Sequence, residues 1–283
     1  MHNATPCFSR AAALAAILAL CGCAAPRVVA PTSAAEVGQM RPGILNGYLD
    51  PKTLPDSLAL LPAPPAPGSA AQAADEAAYQ ELTRFQGTPR GAIAVRDADL
   101  RFPTAPNNFS CALGIAISEQ DTPNLNMLLK RSFTDAGLST YKAKDKYQRT
   151  RPFVVHKTRS CTPASDAALA KDGSYPSGHT TIGWTWALLL TEIAPERSDA
   201  LLQRGRAFGQ SRGIRGAHWK SDIDAGRVMG AAVAARLHAD PVFLAQMTAA
   251  RSEIEQARSR GAAPTTDCAA EAAALSDTAL IAP

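Results

Sequence analysis

Apolar residues recur with helical spacing along most of the chain, and alternating runs rich in Val, Ile and Thr are nearly absent. The clearest segment begins at Thr122-Pro123. Its apolar residues that share one helical face are Leu125, Leu128, Leu129 and Phe133. Hydrophobic residues make up 46 % of the chain and aromatic residues only 6 %, and alanine-rich composition favours helix. We therefore predict an all-α fold with about ten helices.

Capping residues and prolines mark where these helices begin and end. Ser, Thr and Asp suit the position before a helix, and Pro suits its first turn. Seven predicted helices span residues 69–85, 108–119, 139–151, 180–193, 196–210, 218–239 and 240–260. Two more are predicted to begin at residues 88 and 122. Residues 48–67 carry six prolines and are predicted to lie extended against the surface. Residues 158–175 are polar and predict a loop.

The N-terminus has the pattern of an export signal. Arg10 precedes an apolar run, residues 11–20, that is too short to span a membrane. Two cleavage sites remain open: residues 20–23 resemble a bacterial lipobox with a lipid anchor at Cys23, and residues 23–25 suit an ordinary signal peptidase. Either predicts export, with a mature protein that is soluble or tethered by a lipid. No later segment has 18 uncharged apolar residues, so we predict no transmembrane span.

The chain divides into four predicted regions. These are a signal peptide (1–23), a flexible linker (24–45), the main domain (46–262) and a disordered tail (263–283). Loss of the signal would leave Cys111, Cys161 and Cys268 besides Cys23, and that odd count leaves one thiol over. We predict a Cys111–Cys161 disulfide, because both residues lie in the dense central region whereas Cys268 lies in an alanine-rich tail.

The charge pattern argues against a nucleic-acid partner. The net charge is +4, and the 19 % of charged residues mix both signs rather than forming a basic stripe. No Cys-x-x-Cys pattern exists, so the sequence does not predict a zinc site.

Three short runs between residues 144 and 222 carry the candidate chemistry. They are Lys144-x6-Arg151-Pro152, Pro176-Ser177-Gly178-His179 and Ser211-Arg212-x5-His218-x3-Asp222. Phosphoryl transfer spreads negative charge over three oxygens, so its catalysis depends on positioning and on electrostatic stabilisation. Three cations, two histidines and one carboxylate in this order predict transfer of a phosphate-like anion through histidine.

The cations and one turn are predicted to form a phosphate cage. Its residues are Lys144, Arg151, Ser177, Gly178 and Arg212. Arg offers a planar fork and Lys a point charge. Lys144 and Arg151 are seven residues apart, which is two turns of a helix, so we expect them to point the same way. Ser177 and Gly178 precede a helix, whose first backbone N–H groups bind anions.

The catalytic residues are predicted to be His218, His179 and Asp222. His218 and Asp222 are four apart on one predicted helical stretch, so Asp222 can hold one ring nitrogen while the other attacks phosphorus. His179, at a helix start, suits donation of a proton to the leaving alcohol. His156 and His238 fall outside the three runs and are interpreted as structural.

Two other kinds of site do not fit these residues. The run around Ser177 lacks the first glycine of the G-x-S-x-G pattern of serine hydrolases. A metal ion bound by His218 and Asp222 would be repelled by three nearby cations and has no clear third ligand. We therefore predict no metal and no cofactor.

The three runs resemble the motifs of the phosphatidic acid phosphatase type 2 and vanadium haloperoxidase superfamily. Residues 173–180 and 216–222, with the early segment 48–69, are similar to bacterial class A non-specific acid phosphatases. The resemblance covers about residues 45–260 and implies a helical bundle of the acid phosphatase and vanadium-dependent haloperoxidase type. It also implies a metal-free phosphohistidine mechanism, with His218 as nucleophile, His179 as acid and Asp222 as orienter. A further implication is a periplasmic address, so we expect a protein that is soluble there or lipid-anchored to the outer membrane. Arg215 departs from the apolar or small residue expected there.

The leading hypothesis is a secreted acid phosphatase of broad specificity, acting on small phosphate monoesters including nucleotides, with phosphotransferase activity as an extension. Alternatives within the superfamily are a vanadium haloperoxidase and a phosphatase of lipid or isoprenoid phosphates. A non-catalytic anion-binding protein is the alternative from another class, but it would need neither His179 nor the His218–Asp222 pair. We also predict a homo-oligomer.

Overall fold

The computed structural model of the chain describes residues 1–2 and 28–278. The predicted signal peptide lies outside these residues except for its first two, and so does the choice of cleavage site at Cys23. No single helix within residues 28–278 is long and apolar enough to cross a membrane. The helices Lys220–Leu237 and Pro241–Ser259 reach that length and apolar composition only when taken as a pair, and they are bent by 98° relative to each other.

Helices dominate the described residues, and the all-α prediction is confirmed. The helices in residues 28–278 are α1 (Ala34–Val37), α2 (Ser57–Leu60), α3 (Ala70–Thr83), α4 (Pro89–Arg96), α5 (Thr104–Asn107), α6 (Ser110–Leu113), α7 (Pro123–Ser139), α8 (Tyr141–Tyr147), α9 (Pro152–Val155), α10 (Asp166–Leu169), α11 (Gly178–Ile193), α12 (Ser198–Ile214), α13 (Lys220–Leu237), α14 (Pro241–Ser259) and α15 (Cys268–Ser276). Short 3-10 helices span Pro51–Thr53, Pro163–Ser165 and Pro195–Arg197. Two short antiparallel strands, β1 (Gln39–Arg41) and β2 (Ile44–Leu45), form a hairpin.

Helix α11 lies at the centre of the main hydrophobic core, against α7, α12 and α13. Its Trp186 is fully buried, and the indole Nε1–H donates to the carbonyl of Leu129 on α7 at 3.1 Å. The predicted apolar face of α7 is confirmed, since Leu125, Leu128 and Leu129 are fully buried. The core therefore fixes the helix that begins with the Pro-Ser-Gly-His run.

Two glycines bring α13 close to the first turns of α11. A Cβ atom at Gly226 would lie 2.8 Å from the carbonyl oxygen of Ser177, and one at Gly230 would lie 2.8 Å from that of Thr181. Real side chains do not tolerate such distances from backbone atoms, so glycine is required here. The approach places the start of α11 beside the start of α13, where His218 and Asp222 lie.

Several predicted helix ends are confirmed by their caps. The Ser69 hydroxyl accepts the N–H of Gln72 at 3.1 Å before α3. Pro89 opens α4, and Asp240 caps α14 by accepting the N–H of Phe243 at 2.8 Å. Local capping chemistry was sufficient to locate these ends.

Four predicted helices differ from the structure. The helix predicted for 139–151 ends at Tyr147, because Gln148 adopts a left-handed conformation with φ 41°. Arg151 instead caps the next helix, α9, so the argument that Lys144 and Arg151 share a helical face is wrong. The helix predicted for 108–119 is reduced to α6, which Gly114 ends at φ 86°.

The other two differences concern the helices on either side of His218. The helix expected to begin at His218 begins at Lys220, so His218 lies in the connection before it. Helix α12 runs to Ile214 rather than ending near Gln210, which places Arg212 in its last turn. Gly216, at φ 75°, then reverses the chain between the two helices.

The segment expected to be a flexible linker contains regular structure where it is described. Residues 34–45 form α1 and the β1–β2 hairpin. The hydroxyl of Thr134 on α7 donates to the carbonyl of Leu45 at 2.8 Å, and the Asp135 carboxylate accepts the N–H groups of Tyr48 and Leu49 at 2.9 and 3.2 Å. These contacts from α7 hold the hairpin on the main domain.

The predicted tail and disulfide also differ from the structure. Residues Cys268–Ser276 form α15, and the disulfide joins Cys111 to Cys268, leaving Cys161 as a free thiol. The predicted Cys111–Cys161 bridge is therefore wrong. The physical reason is that α15 packs on α4, where Glu271 is buried and pairs with Arg96.

Candidate active site

A cavity of about 470 Å³ opens between the hairpin, α7, α8 and the first turn of α11. Five of the eight predicted site residues line it: Lys144, Arg151, Gly178, His179 and His218. The other three, Ser177, Arg212 and Asp222, are fully buried behind this wall. Much of the remaining wall is apolar and includes Met40, Ile44, Leu100, Phe133, Leu138 and Ile182. The cavity therefore combines a cationic end with an apolar flank.

Lys144 and Arg151 reach the cavity from different elements, α8 and the cap of α9. Lys144 Nζ donates to the carbonyl of Gly173 at 2.5 Å and lies 3.5 Å from Asp172 Oδ2. Arg151 Nη2 donates to the same carboxylate oxygen at 2.9 Å. Burial, followed by the charge of Arg151, lowers the pKa of Lys144 to about 8, so this ammonium is still charged in acidic solution.

His218 is positioned by main-chain contacts from the end of α12. The backbone N–H groups of Ala217 and His218 donate to the Arg212 carbonyl at 3.0 and 3.3 Å, after the reversal at Gly216. The ring Nε2 lies 2.9 Å from Arg151 Nη1. Because a guanidinium can only donate, Nε2 is the acceptor in this contact.

The other ring nitrogen faces Asp222. His218 Nδ1 lies 3.5 Å from Asp222 Oδ2, slightly beyond an ordinary hydrogen bond of about 2.9 Å. Burial, followed by the charge of Arg151, lowers the pKa of His218 well below its ordinary value. This shift favours the neutral ring. Since Nε2 is the acceptor from Arg151, the neutral ring carries its proton on Nδ1, towards Asp222, and has a lone pair on Nε2, which is the form a nucleophile needs.

Asp222 is held at both oxygens and at its main chain. Oδ2 accepts the N–H of Trp219 at 2.9 Å, and Oδ1 accepts Arg149 Nη1 at 2.6 Å. Its carbonyl accepts the N–H of Ser177 at 2.9 Å, which connects the second and third sequence runs directly. Burial raises the pKa of Asp222, and Arg149 opposes that rise.

Arg212 is a buried cation with unsatisfied donors. It is 0 % exposed, and its Nε, Nη1 and Nη2 have no hydrogen-bond acceptor within the described part of the chain. Burial, followed by the charge of Arg215, lowers the pKa of Arg212 well below its ordinary value. Its charge in turn lowers the pKa of both His179 and His218, so it faces both histidines. Such a group suits an anion that satisfies several donors at once.

The start of α11 supplies backbone donors. The Ser177 hydroxyl caps the helix by accepting the N–H and the hydroxyl of Thr180 at 3.3 and 2.9 Å. Gly178 and His179 are the first two helical residues, so their N–H groups belong to the unpaired first turn. A Cβ atom at Gly178 would lie 4.0 Å from Lys144 Cε, at the cavity wall. The first N–H groups of α11 therefore lie at the cavity wall, where a helix start can bind an anion.

His179 lies opposite His218 and is held by a main-chain group. Its Nε2 donates to the carbonyl of Ala98 at 3.1 Å, which leaves Nδ1 as the nitrogen available for a second proton. Burial, followed by the charge of Arg212, lowers the pKa of His179 well below its ordinary value of 6.5. A bound dianion would oppose that effect and favour the protonated ring.

Three charged residues of the site were not predicted from the sequence. Asp172 pairs with both cavity cations, Arg149 binds Asp222, and Asp75 binds Arg149 at 2.7 Å. Arg149 lies inside the Lys144–Arg151 run, so its proximity to the motif was a usable signal. Asp75 comes from α3, 69 residues before the first run, and no local pattern marks it.

The histidines interpreted as structural have structural partners. His156 stacks on Tyr79 with ring centroids 4.2 Å apart and lies 2.9 Å from Glu76 Oε2. His238 contacts the Ala234 carbonyl at 2.7 Å, and neither histidine lines the cavity. Within residues 28–278, His, Cys, Asp and Glu side chains form no group of three or more that would suit a metal ion.

The chain is similar to known proteins over most of its length. The model of the PAP2 superfamily matches residues 127–244. A non-specific acid phosphatase of Providencia stuartii is 45 % identical over 207 residues, which is 73 % of this chain and 84 % of that protein. An acid phosphatase of Zymomonas mobilis is 40 % identical over 74 % of this chain and 79 % of its own length. A non-specific acid phosphatase of Salmonella typhimurium is 40 % identical over 81 % and 89 %.

Proposed function

We propose that this protein transfers the phosphoryl group of small phosphate monoesters first to His218 and then to water. The chain belongs to the PAP2 superfamily and is an acid phosphatase, and the proposal concerns how it acts. The observation that carries this proposal is the geometry of His218: its Nε2 lies 2.9 Å from Arg151 Nη1, and the charge of the buried, unsatisfied Arg212 guanidinium also acts on the ring. A histidine in that state is a nucleophile next to an anion site.

In the first step, His218 Nε2 attacks phosphorus and the bond from phosphorus to the ester oxygen breaks. His179 donates its proton from Nδ1 to the departing alkoxide, so the alcohol leaves neutral. Asp222 stabilises the positive charge that develops on the His218 ring. In the second step, water attacks phosphorus, His179 takes a proton from that water, and the bond from phosphorus to Nε2 breaks to release phosphate.

The cage residues stabilise charge on the transferring oxygens. Lys144, Arg151 and Arg212 supply three cations, and the first turn of α11 after Ser177 supplies the N–H groups of Gly178 and His179. Arg151 Nη1 would exchange Nε2 for a phosphate oxygen when the nucleophile is used. In this proposal the fixed cations do the work that a metal ion does in other phosphatases, so no metal is part of the mechanism.

The apolar flank suits a range of alcohol groups rather than one. Seven apolar residues line the cavity beside the cationic end, and such a wall binds aromatic, nucleoside or alkyl groups without specific hydrogen bonds. We propose broad specificity for phosphate monoesters including nucleotides, and transfer to alcohols in competition with water. Export to the periplasm remains a proposal. It is supported by the N-terminal pattern and by the Cys111–Cys268 disulfide, which suits an oxidising compartment.

The test is an assay of purified protein after prolonged EDTA treatment. We expect hydrolysis of p-nitrophenyl phosphate to survive, with competitive inhibition by vanadate that is tighter than that by phosphate. The protein supplied with vanadate should not oxidise bromide with peroxide. Loss of hydrolysis that zinc or magnesium restores would contradict the metal-free mechanism, and bromide oxidation would favour the haloperoxidase alternative.

A further inference from the structure

A row of buried charged residues continues from Asp222 away from the cavity, and the proposed mechanism does not use it. Arg149 Nη1 donates to Asp222 Oδ1 at 2.6 Å, and Arg149 Nη2 donates to Asp75 Oδ2 at 2.7 Å. The side chains of Asp75, Arg149 and Asp222 are 2 %, 9 % and 0 % exposed. Burying three charges costs free energy unless their partners are well placed, so packing alone does not account for this row.

Each oxygen of Asp222 has a separate partner. Oδ1 accepts a hydrogen bond from Arg149, while Oδ2 accepts the Trp219 N–H and faces His218 Nδ1. Rotation of the carboxylate would break the bond to Arg149, so that bond fixes Oδ2 towards the ring. A fork of guanidinium donors suits this task better than a single ammonium donor.

Asp75 holds Arg149 and also the residue next to Asp222. Its Oδ1 accepts the Ser221 N–H at 2.7 Å, and its Oδ2 accepts the Ser221 hydroxyl at 2.7 Å. Arg149 Nη1 donates to the same hydroxyl at 2.7 Å, and Nη2 also donates to Gln72 at 3.0 Å. Helix α3, the connection after α8 and the first turn of α13 are thereby joined at one point.

We infer that Arg149 is a positioning residue for phosphoryl transfer, which aims the Asp222 carboxylate at His218 Nδ1, and that Asp75 holds Arg149 in place. The inference rests on the proposed function, because it assigns Arg149 a role through the proposed orienter of the nucleophile. Arg149 does not line the cavity, and its side-chain hydrogen bonds go to Asp222, Asp75, Ser221 and Gln72. Its effect should therefore appear in turnover and not in anion binding.

The same contact should control the acidic limb of the pH profile. Burial raises the pKa of Asp222, and the Arg149 charge is the first opposing influence. Other polar groups that face Asp222 are His218, Lys144, Arg151, Ser174 and Tyr175. Without the Arg149 cation, Asp222 would take up a proton at higher pH and would no longer accept the Nδ1–H as a carboxylate.

The test compares Arg149→Met and Arg149→Lys with Arg197→Met as a matched control. Arg197 is another partly buried arginine, which donates to the carbonyls of Ala112 and Cys111 and does not line the cavity. For Arg149→Met we expect kcat for p-nitrophenyl phosphate to fall on the order of 10- to 100-fold, as for other outer partners of functional histidines. KM and the vanadate inhibition constant should change less than about threefold, and the acidic limb should move up by about one pH unit.

Arg149→Lys should keep the acidic limb of the wild type, because it keeps the cation, while kcat falls several-fold. Arg197→Met should keep both kcat and the limb. The inference would be overturned if Arg149→Met kept the kcat of the wild type and the acidic limb of its pH profile. Parallel losses of kcat and vanadate binding would also overturn it, because they would indicate a merely structural role. If Arg149→Met does not fold, Asp75→Asn and Arg149→Lys replace it, and wild-type turnover in both would overturn the inference.

These outcomes are separable from failure of the proposed function. If wild-type protein forms no phosphohistidine at residue 218, the proposed function fails whatever the Arg149 variants do. If wild-type protein forms it and Arg149→Met turns over normally, only the positioning role fails.

Discussion

The two histidines of the site are held by different kinds of partner. His218 lies between charged side chains, with Arg151 2.9 Å from Nε2 and Asp222 3.5 Å from Nδ1. His179 is held by a neutral main-chain carbonyl, that of Ala98, at 3.1 Å from Nε2. Burial lowers the pKa of both rings, so the difference lies in what each partner permits.

The difference matches the two proposed roles. Charged partners on both nitrogens fix the tautomer of His218 and keep its Nε2 lone pair ready, as a nucleophile requires. A carbonyl fixes the orientation of the His179 ring without adding charge. The charge of the bound anion then raises the pKa of His179, so this acid becomes protonated when the substrate binds.

The largest expected effect comes from removing the nucleophile. In His218→Ala, turnover of p-nitrophenyl phosphate should fall by about 10⁴-fold or more, as when a nucleophile is removed from other covalent enzymes. Vanadate and phosphate should still bind, because Lys144, Arg151 and Arg212 remain. Steady-state rates check the loss of turnover, and equilibrium binding checks that vanadate and phosphate are still bound. Substantial turnover in this variant would contradict the role of His218.

Removing the acid should have a smaller effect that depends on the leaving group. General acid catalysis contributes about 10²- to 10⁴-fold, so His179→Ala should lose activity in that range with an alkyl phosphate. The loss should be smaller with p-nitrophenyl phosphate, whose phenolate leaves without a proton. His238→Ala is the matched control, because that ring binds Ala234 and Glu192 outside the cavity. Equal losses on both substrates would contradict the acid role.

The cation that faces both histidines can be tested through stability. The Arg212 guanidinium is buried, and its three nitrogens have no acceptor within residues 28–278. Replacing an unsatisfied buried charge by an apolar side chain should stabilise the fold, by about 1–4 kcal/mol. We therefore expect Arg212→Met to melt at higher temperature, to bind vanadate at least about tenfold more weakly, and to lose stabilisation by phosphate.

The corresponding control is Arg197→Met, which removes an arginine that has two carbonyl partners. That variant should melt at lower temperature and keep vanadate inhibition. If Arg212→Met were less stable than the wild type and inhibited equally by vanadate, Arg212 would be a structural residue and not part of the cage.

The smallest expected effect concerns proton uptake. The pKa of His179 is well below its ordinary 6.5 in the free protein, and a bound dianion raises it. Between those two pKa values, binding should therefore take up a proton. Sulfate is a suitable probe, because it remains a dianion across this range. Calorimetry near pH 6 in buffers of different ionisation enthalpy should show uptake in the wild type and in His218→Asn but not in His179→Asn. Uptake that persists in His179→Asn would contradict the contrast between the two rings.

The sequence predicted which residues meet at the site better than how they meet. The order and spacing of the three runs predicted that Lys144, Arg151, His179 and His218 lie close together, since each run fits a local requirement of anion chemistry. All four line one cavity. The shared helical face of Lys144 and Arg151 was wrong, because Gln148 breaks the helix with a left-handed backbone. One non-glycine residue in that conformation leaves little trace in a helical pattern.

Contacts across long distances in sequence were not predictable. Asp75 reaches Arg149 from 74 residues away, and Cys268 reaches Cys111 from 157 residues away. Tertiary packing of α3 and α15 creates both contacts, and no local pattern encodes them. The hairpin of residues 39–45 was interpreted as linker for the same reason, since its contacts with α7 come from Thr134 and Asp135.

The most direct test of the account is to find the covalent intermediate. Turnover of a phosphate monoester should be quenched within milliseconds into alkaline denaturant, which preserves a bond from phosphorus to a histidine nitrogen, and peptides should be identified by mass spectrometry. We predict a phosphoryl group on His218 in the wild type and none in His218→Ala. Turnover without a phosphorylated His218, or a phosphoryl group on Ser177 instead, would contradict the account.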